Sequence, residues 1–223
     1  MNGVVSQVGA ALPDGLVDEL LAWFAELELP ASWLVEGEDD DPVLAAALAG
    51  RGARSEDSRS WAGRRIDDDL FATLADGDVG GDVVITRVRT ATDLDEWLAV
   101  AGRCGWLVDD RDRRARRRLH LSIGLDDGDL VHWVARRDDR PVAMASAHVT
   151  GAVVDLCNLA VIDRERRQGI GRALAGERIR TAHERGATTV VSALSPDGWK
   201  LYEPLGFRSV GVTPGRWFQL PLP

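Results

Sequence analysis

Between residues 14 and 27 apolar side chains recur at helical spacing (Leu16, Leu20, Trp23, Phe24, Leu27) behind Pro13, with acids in the first turns, which predicts one amphipathic helix. Ser32 to Val35 reads as a short strand, Pro42 to Ala49 as a helix opened by Asp41 and stopped at Gly50, and Ile66 to Leu74 as another helical piece. A Gly- and Asp-rich seam, Ala75 to Asp82, has the composition of a linker and sets a domain boundary between residues 1–81 and 82–223. Beyond it the pattern predicts a strand over Val83 to Arg89, a helix over Asp93 to Ala101 capped near Thr92, and a second helical region from Asp109 to Ile123.

From Leu130 the period changes to that of strands: Leu130 to Arg136, Pro141 to Val149 and Ala152 to Ile162, joined by short turns at Arg137 to Arg140 and Thr150-Gly151. Turns of this size make antiparallel neighbours. A long helix from Gly169 to Arg185 follows, then a strand Thr188 to Ala193, a short helix Pro196 to Leu205 and a last hairpin around Pro214, with strands near Phe207 to Val212 and Arg216 to Leu220. The strand, helix, strand passage from 153 to 193 requires a parallel pair through a right-handed crossover. The sheet is therefore expected to be mixed and mostly antiparallel, flanked by helices, with a small α/β segment ahead of it.

Composition narrows the function classes. The 223 residues are 45% hydrophobic and 28% charged, ordinary for a folded protein. The net charge of -9 disfavours a general nucleic-acid binder. The excess of acid belongs to residues 1–81, with 17 acids against 5 Arg, whereas 82–223 are slightly basic. Apolar runs are too short to span a bilayer, and no basic region precedes the apolar residues of Met1 to Leu12 as in a secretory signal, so a cytoplasmic protein without membrane partners is expected. Cys104 and Cys157 lie in no metal-binding or disulfide pattern. The acidic run Glu36 to Asp41 lacks the alternating ligands of a calcium loop and reads as a solvated turn. The basic run Arg111 to Arg118 reads as a solvated helix face, since Asp109, Asp110 and Asp112 stand four residues before Arg113, Arg114 and Arg116.

The stretch that carries chemistry is Asn158 to Leu174. A strand runs into a loop holding Arg164, Arg166, Arg167 and Arg172, and Gly169 and Gly171 stand at the mouth of a helix. Glycines expose backbone N–H groups, the helix N-terminus adds partial positive charge, and arginines add more, which together suit an anion such as a diphosphate. No GK[ST] follows, and Leu174 replaces the third glycine of a dinucleotide fingerprint. A plain glycine-rich turn is the alternative that this stretch leaves open.

Arg166-Arg167-Gln168-Gly169-Ile170-Gly171 resembles the R/Q-x-x-G-x-G/A motif of the GNAT superfamily of N-acetyltransferases, and Leu201-Tyr-Glu-Pro-Leu-Gly-Phe207 resembles that family's second signature, LYxxLGF. The resemblance covers residues 82–223 and implies an acyl-CoA N-acyltransferase fold. It implies that acetyl-CoA, as cosubstrate, has its pyrophosphate gripped by the amides of Gln168, Gly169, Ile170, Gly171 and Arg172 beside Arg166 and Arg167. It also implies that Leu159, Ala160 and Val161 bond the pantetheine arm through backbone groups, where the strand from Thr188 splays away.

Tyr202 fills the family's Tyr position, which implies that its phenol protonates the leaving thiolate, with a half-buried packing Tyr as the alternative. Ser195 reads as an N-cap before Pro196 and stands where many relatives carry a longer Asn that contacts CoA. Asp155, four residues before Leu159, stands where several relatives of that family carry a Glu, so the resemblance makes it the candidate base, acting through water on an amine, with a solvated or hydrogen-bonded strand Asp as the alternative. His120, His132 and His148 are weaker candidates, and Cys157 has no neighbour that marks it as a nucleophile.

The expected reaction is direct acetyl transfer to a primary amine, small-molecule or peptide. The rival is a non-catalytic acyl-CoA-binding or interaction module on the same fold. The order strand, helix, glycine from Ala31 to Ala53 resembles the last third of the acetyltransferase and suggests a degenerate partial copy packed on the catalytic domain, with a homodimerisation element or an acceptor-specific lid as the rival reading.

Overall fold

The computed structural model describes residues 3–7, 15–26, 31–36, 42–75, 79, 82–107, 109–125, 128–210 and 215–220. In chain order these form β1 Gly3–Gln7, α1 Leu16–Glu26, β2 Ala31–Glu36, α2 Pro42–Ala49, β3 Arg54–Arg65, α3 Asp68–Ala75, β4 Val83–Arg87, α4 Ala91–Arg103, α5 Asp110–Ile123, β5 Leu130–Arg137, β6 Arg140–Thr150 and β7 Val153–Val161. A 3-10 turn at Asp163–Glu165 leads to α6 Ile170–Glu184, β8 Thr189–Leu194, α7 Pro196–Tyr202, β9 Arg208–Ser209 and β10 Gly215–Leu220. Most of the acidic run 36–41, most of the seam 75–82 and the turn around Pro214 lie outside the described residues.

The fold is a mixed, mostly antiparallel sheet flanked by helices, as the periodicities predict. The strands join in one sheet of order β1-β2-β10-β3-β8-β7-β6-β5-β4, with β9 also on β3. Two pairs are parallel, β1 with β2 across α1 and β7 with β8 across α6.

The predicted terminal hairpin does not form. β9 pairs with β3, while β10 lies antiparallel between β2 and β3. Strand β3, unforeseen because its sequence RSEDSRSWAGRR has no apolar alternation, is held extended by neighbours on both sides: β10 from the C-terminus and β8 through Ser60↔Leu194 to Arg65↔Thr189. Its close approach to β8 needs Gly63, where a Cβ would stand 2.8 Å from the Val190 carbonyl oxygen. Apart from the 3-10 turn after β7 and the two-residue β9, the passages β1-α1-β2-α2-β3 and β7-α6-β8-α7-β10 have the same element order, and each sends its last strand beside the inner strand of the other.

The larger core joins both sides of the seam: Ala62, Ile66 and Leu70 pack with Trp97, Leu98, Trp133, Met144, Leu174, Ile179 and Phe207. A smaller core gathers Phe24, Trp33, Leu44 and Leu48 around Phe218 and Leu220 of β10. Helix α4 begins two residues earlier than expected. Thr90, not Thr92, is its N-cap, accepting from Asp93 N at 3.1 Å while Asp93 Oδ2 accepts from Thr90 N at 2.9 Å. Asp109 caps α5 by accepting from Asp112 N at 2.8 Å.

Candidate active site

Strands β7 and β8 pair only over Val153↔Thr189, Val154↔Val190 and Asp155↔Val191. One further link, Ser192 Oγ donating to the Leu156 carbonyl at 2.6 Å, closes the base of the fork, beyond which the strands part. On its other side β7 carries a bulge. The register moves from Ser146↔Cys157 to Met144↔Ala160, so Asn158 and Leu159 stand opposite Ala145 alone, and Asn158 takes φ 53°. A bulge interrupts the ladder and re-aims backbone groups, here those of Leu159, Ala160 and Val161 at the open end of the fork.

The chain then turns through the glycine loop. Arg167 (φ 59°) and Gly169 (φ 80°) are left-handed, and Gly169 is the N-cap of α6 with no side-chain cap bond. Helices α4, α5 and α7 all begin under such a cap. The first backbone bond of α6 is Ala173 N to Gly169 O at 3.0 Å, which leaves Ile170, Gly171 and Arg172 with N–H groups that have no helical acceptor. An added Cβ at Gly171 would meet only Leu201 at 3.6 Å and Leu159 at 3.9 Å. Protein packing therefore does not demand glycine there.

Side chains brace the loop from outside. Arg137 of β5 pairs with Glu165 and donates to Gln168 Oε1 at 2.6 Å, and Gln168 Nε2 donates to the Arg164 carbonyl at 3.2 Å. Arg166 is paired with Asp163 at 3.1 Å and donates to the Val161 carbonyl at 3.0 Å. Arg172 departs from expectation: its guanidinium donates to the Thr73 carbonyl of α3, so only its backbone N–H faces the helix mouth. Ser195 is the N-cap of α7, accepting from Gly198 N at 3.2 Å. Beside the loop, Cys104 at the end of α4 feels the charges of Arg166 and Asp163, and burial pushes its thiol up. An open hollow of about 530 Å³ lies between α4 and α5, lined by Arg103, Leu107, Asp109, Asp110 and Arg113 among others.

Tyr202 is buried against Phe207, ring centroids 4.8 Å apart. Its hydroxyl accepts from Arg178 Nη2 at 2.6 Å. Burial pushes the phenol pKa up, and the Arg178 guanidinium opposes that rise. Asp155 sits where β7 and β8 cease to pair. Burial lifts its carboxyl to about 6, with Arg178 and His148 pulling the other way. Cys157, next on the same face, is pushed up to about 12 by burial and by Asp155, so it holds its proton.

His120 and His132 are buried away from the glycine loop, against Trp97. Their ring centroids lie 4.6 Å apart, and His132 Nδ1 meets Ser146 Oγ at 2.7 Å.

Arg178 was not anticipated. The signal was present: it falls four residues after Leu174 and four before Ala182, on the buried stripe of α6. Among the described residues no group of three or more His, Cys, Asp or Glu is placed to hold a metal ion, and no helix is long and apolar enough to cross a membrane.

Known proteins carry the same architecture. A functionally unknown conserved protein from Staphylococcus epidermidis superposes with TM-score 0.65 at 15% identity, over 97% of this chain and 82% of that one. A tandem GNAT protein from the clavulanic acid biosynthesis pathway gives 0.52 at 19% identity, over 99% and 76%. A GCN5-related N-acetyltransferase from Kribbella flavida gives 0.50 at 19% identity, over 92% and 74%. Among curated proteins none matches at the sequence level. The sequence itself matches the acetyltransferase (GNAT) family over residues 91–207, more than half of the chain, from α4 through the second signature. The forked strands, the bulge and the uncapped glycine loop are thus those of an acyltransferase domain, and the chain belongs to the acetyltransferase (GNAT) family.

Proposed function

We propose that the protein transfers an acetyl group from acetyl-CoA to a primary amine by direct attack. The observation that carries this is the pairing of an uncapped helix mouth with a strand fork: α6 begins on bare N–H groups and positive dipole, and β7 leaves β8 directly beside it. The residues fit the cosubstrate. Glycine at 171 has no internal reason, and a diphosphate lying across the helix mouth supplies one. The amides of Gln168, Gly169, Ile170, Gly171 and Arg172 hold that diphosphate beside Arg166 and Arg167. The backbone of Leu159, Ala160 and Val161 aligns the pantetheine arm in the fork. Ser195 supports the site from α7, through its cap rather than a long polar arm.

When bound, acetyl-CoA supplies the thioester whose carbonyl the amine attacks. Asp155, lifted to about 6, is ionised at neutral pH yet basic enough to take a proton from the amine through water. Tyr202 gives its hydroxyl proton to the departing thiolate. Cys157, held protonated near neutral pH, takes no acyl group, in keeping with direct transfer.

Residues 1–81 act as a degenerate partial copy that completes the catalytic segment 82–223. The matching element order and the exchanged strands β3 and β10 support this, and β1 pairs with β2 in unbroken register over its whole length, without a fork. The acceptor binds near α4, α5 and the open end of the fork.

The test is thiol release from acetyl-CoA against a panel of primary amines and peptide N-termini. Release that depends on both the amine and Tyr202 supports the proposal. Binding of acetyl-CoA with no release against any amine identifies the non-catalytic module instead.

A further inference from the structure

Arg178 is fully buried on α6, among the largest buried side chains of the molecule. It forms no salt bridge among the described residues. Its hydrogen bonds run to neutral oxygens: Nε to Leu174 O at 3.1 Å, Nη1 to Ser146 O at 3.0 Å and Cys157 O at 3.2 Å, and Nη2 to the Tyr202 hydroxyl at 2.6 Å. Its hydrogen-bond partners are all neutral, and Asp155 of β7 is a carboxylate within its electrostatic reach. A desolvated cation so placed favours a negative charge that develops on an atom it hydrogen-bonds. The atom best placed to develop one is the Tyr202 oxygen.

We propose that Arg178 is the positioning residue that makes Tyr202 the acid of acyl transfer, fixing its hydroxyl as an acceptor on one side so that its own proton points away from α6, and holding the phenolate left after transfer. This deepens the proposed acetyl transfer and rests on it. As the carbon–sulfur bond breaks, its electron pair passes to sulfur. Tyr202 gives sulfur its proton and keeps the O–H pair as phenolate against the guanidinium. The proton lost by the amine returns to the phenolate through Asp155 and water, so the sum is one amide and one thiol.

Arg178 also ties this event to the fork. Its Nη1 grips the carbonyl of Cys157, the residue before the bulge, and that of Ser146 on β6. One guanidinium therefore sets the height of the phenol relative to the bulged strand. The groups that face the phenol are Arg178 from α6, Asp155 and Cys157 from β7, and the apolar ring of Phe207. Arg178 is the cation among them.

The experiment compares full-length wild type with Arg178→Met, Arg178→Lys, Tyr202→Phe and the Arg178→Met/Tyr202→Phe double variant. Acetyl-CoA is the donor, and the acceptor is whichever panel amine wild type uses fastest. Arg178→Met is expected to lower kcat by about tenfold or more while KM for acetyl-CoA stays within about twofold. It is expected to add no further loss in the Tyr202→Phe background, and Arg178→Lys to recover part of the rate. A structural role would lower the single and the Tyr202→Phe backgrounds alike, and that result, or wild-type kcat in Arg178→Met, overturns the proposal.

A second readout does not need turnover. Tyr202 is the only tyrosine of the chain, so the near-ultraviolet rise of tyrosinate on alkaline titration reports it alone. Its midpoint should move up in Arg178→Met and less in Arg178→Lys. An unmoved midpoint overturns the proposal even if no amine is acetylated, whereas absence of thiol release from wild type overturns the acetyl-transfer function itself.

Discussion

Arg64 of β3 donates from Nη1 to the carbonyl of Leu205 at 2.6 Å, joining two residues 141 positions apart. Leu205 belongs to the second signature, and Gly206 beside it has φ 82° and would carry a Cβ 2.6 Å from the same Arg64 nitrogen. The turn that seats Tyr202 is thus clamped by the segment ahead of the acetyltransferase match. Arg64 is held in turn by Asp67 Oδ1 at 2.7 Å.

Loss of this clamp should be felt as stability. Arg64→Ala removes a charged donor from a partly buried carbonyl and is expected to cost about 1–3 kcal/mol, read as a lower urea midpoint with unchanged slope. Gly206→Ala should cost at least as much, because it combines left-handed backbone with a collision. A Gly206→Ala protein as stable as wild type would show that the clamp does not hold the turn.

Asp155 is expected to trade stability for function. Burial lifts its carboxyl to about 6 in the fold, against 3.8 for an ordinary aspartate, so the fold favours the protonated form. The stability it contributes is complete below 3.8 and is lost as pH rises through about 6. Asp155→Asn should therefore be more stable than wild type at pH 8, by about 1–3 kcal/mol, while its turnover falls and the acidic limb of the rate profile near 6 disappears. A variant no more stable than wild type at pH 8 would remove the desolvation argument.

The buried histidines work in the opposite direction. His120 titrates at about 4 and His132 at about 3, each depressed from 6.5 by burial, so the unfolded chain takes up protons first. Their stability is whole above pH 6.5 and drains away as pH falls toward 4 and then 3. A melting temperature that declines steeply over that window, and less steeply in His120→Phe, is the expected result. A flat profile from 6.5 to 4 would contradict it.

The features legible in the sequence were those with local causes. Gly169 and Gly171 among arginines mark the helix mouth, Ser195-Pro196 marks the start of α7, and short turns fix β5, β6 and β7 as antiparallel. Strand β3 was illegible because its order comes from β8 and β10 and not from its own apolar pattern. The same exchange hid the fate of the last strand. Local turn signals near Pro214 favour a hairpin, whereas β10 finds more pairing between β2 and β3. Arg172 shows the limit of counting charges, since α3, distant in sequence, captures its guanidinium. Arg178 was hidden by composition: one arginine among the polar residues of α6 reads as solvated until its place on the Leu174 to Ala182 stripe is noticed.

The central claim is that acetyl-CoA lies on the α6 mouth and enters the β7/β8 fork. Calorimetric titration of acetyl-CoA into wild type and Gly171→Asp tests it most directly. A Cβ at this position meets only ordinary contacts and an acid suits a helix N-terminus, so the variant should melt like wild type. Wild type is expected to bind, and Gly171→Asp to bind about a hundredfold more weakly, because its carboxylate occupies the amides meant for the diphosphate. Equal affinity in the two proteins, or no binding by wild type, would contradict the account.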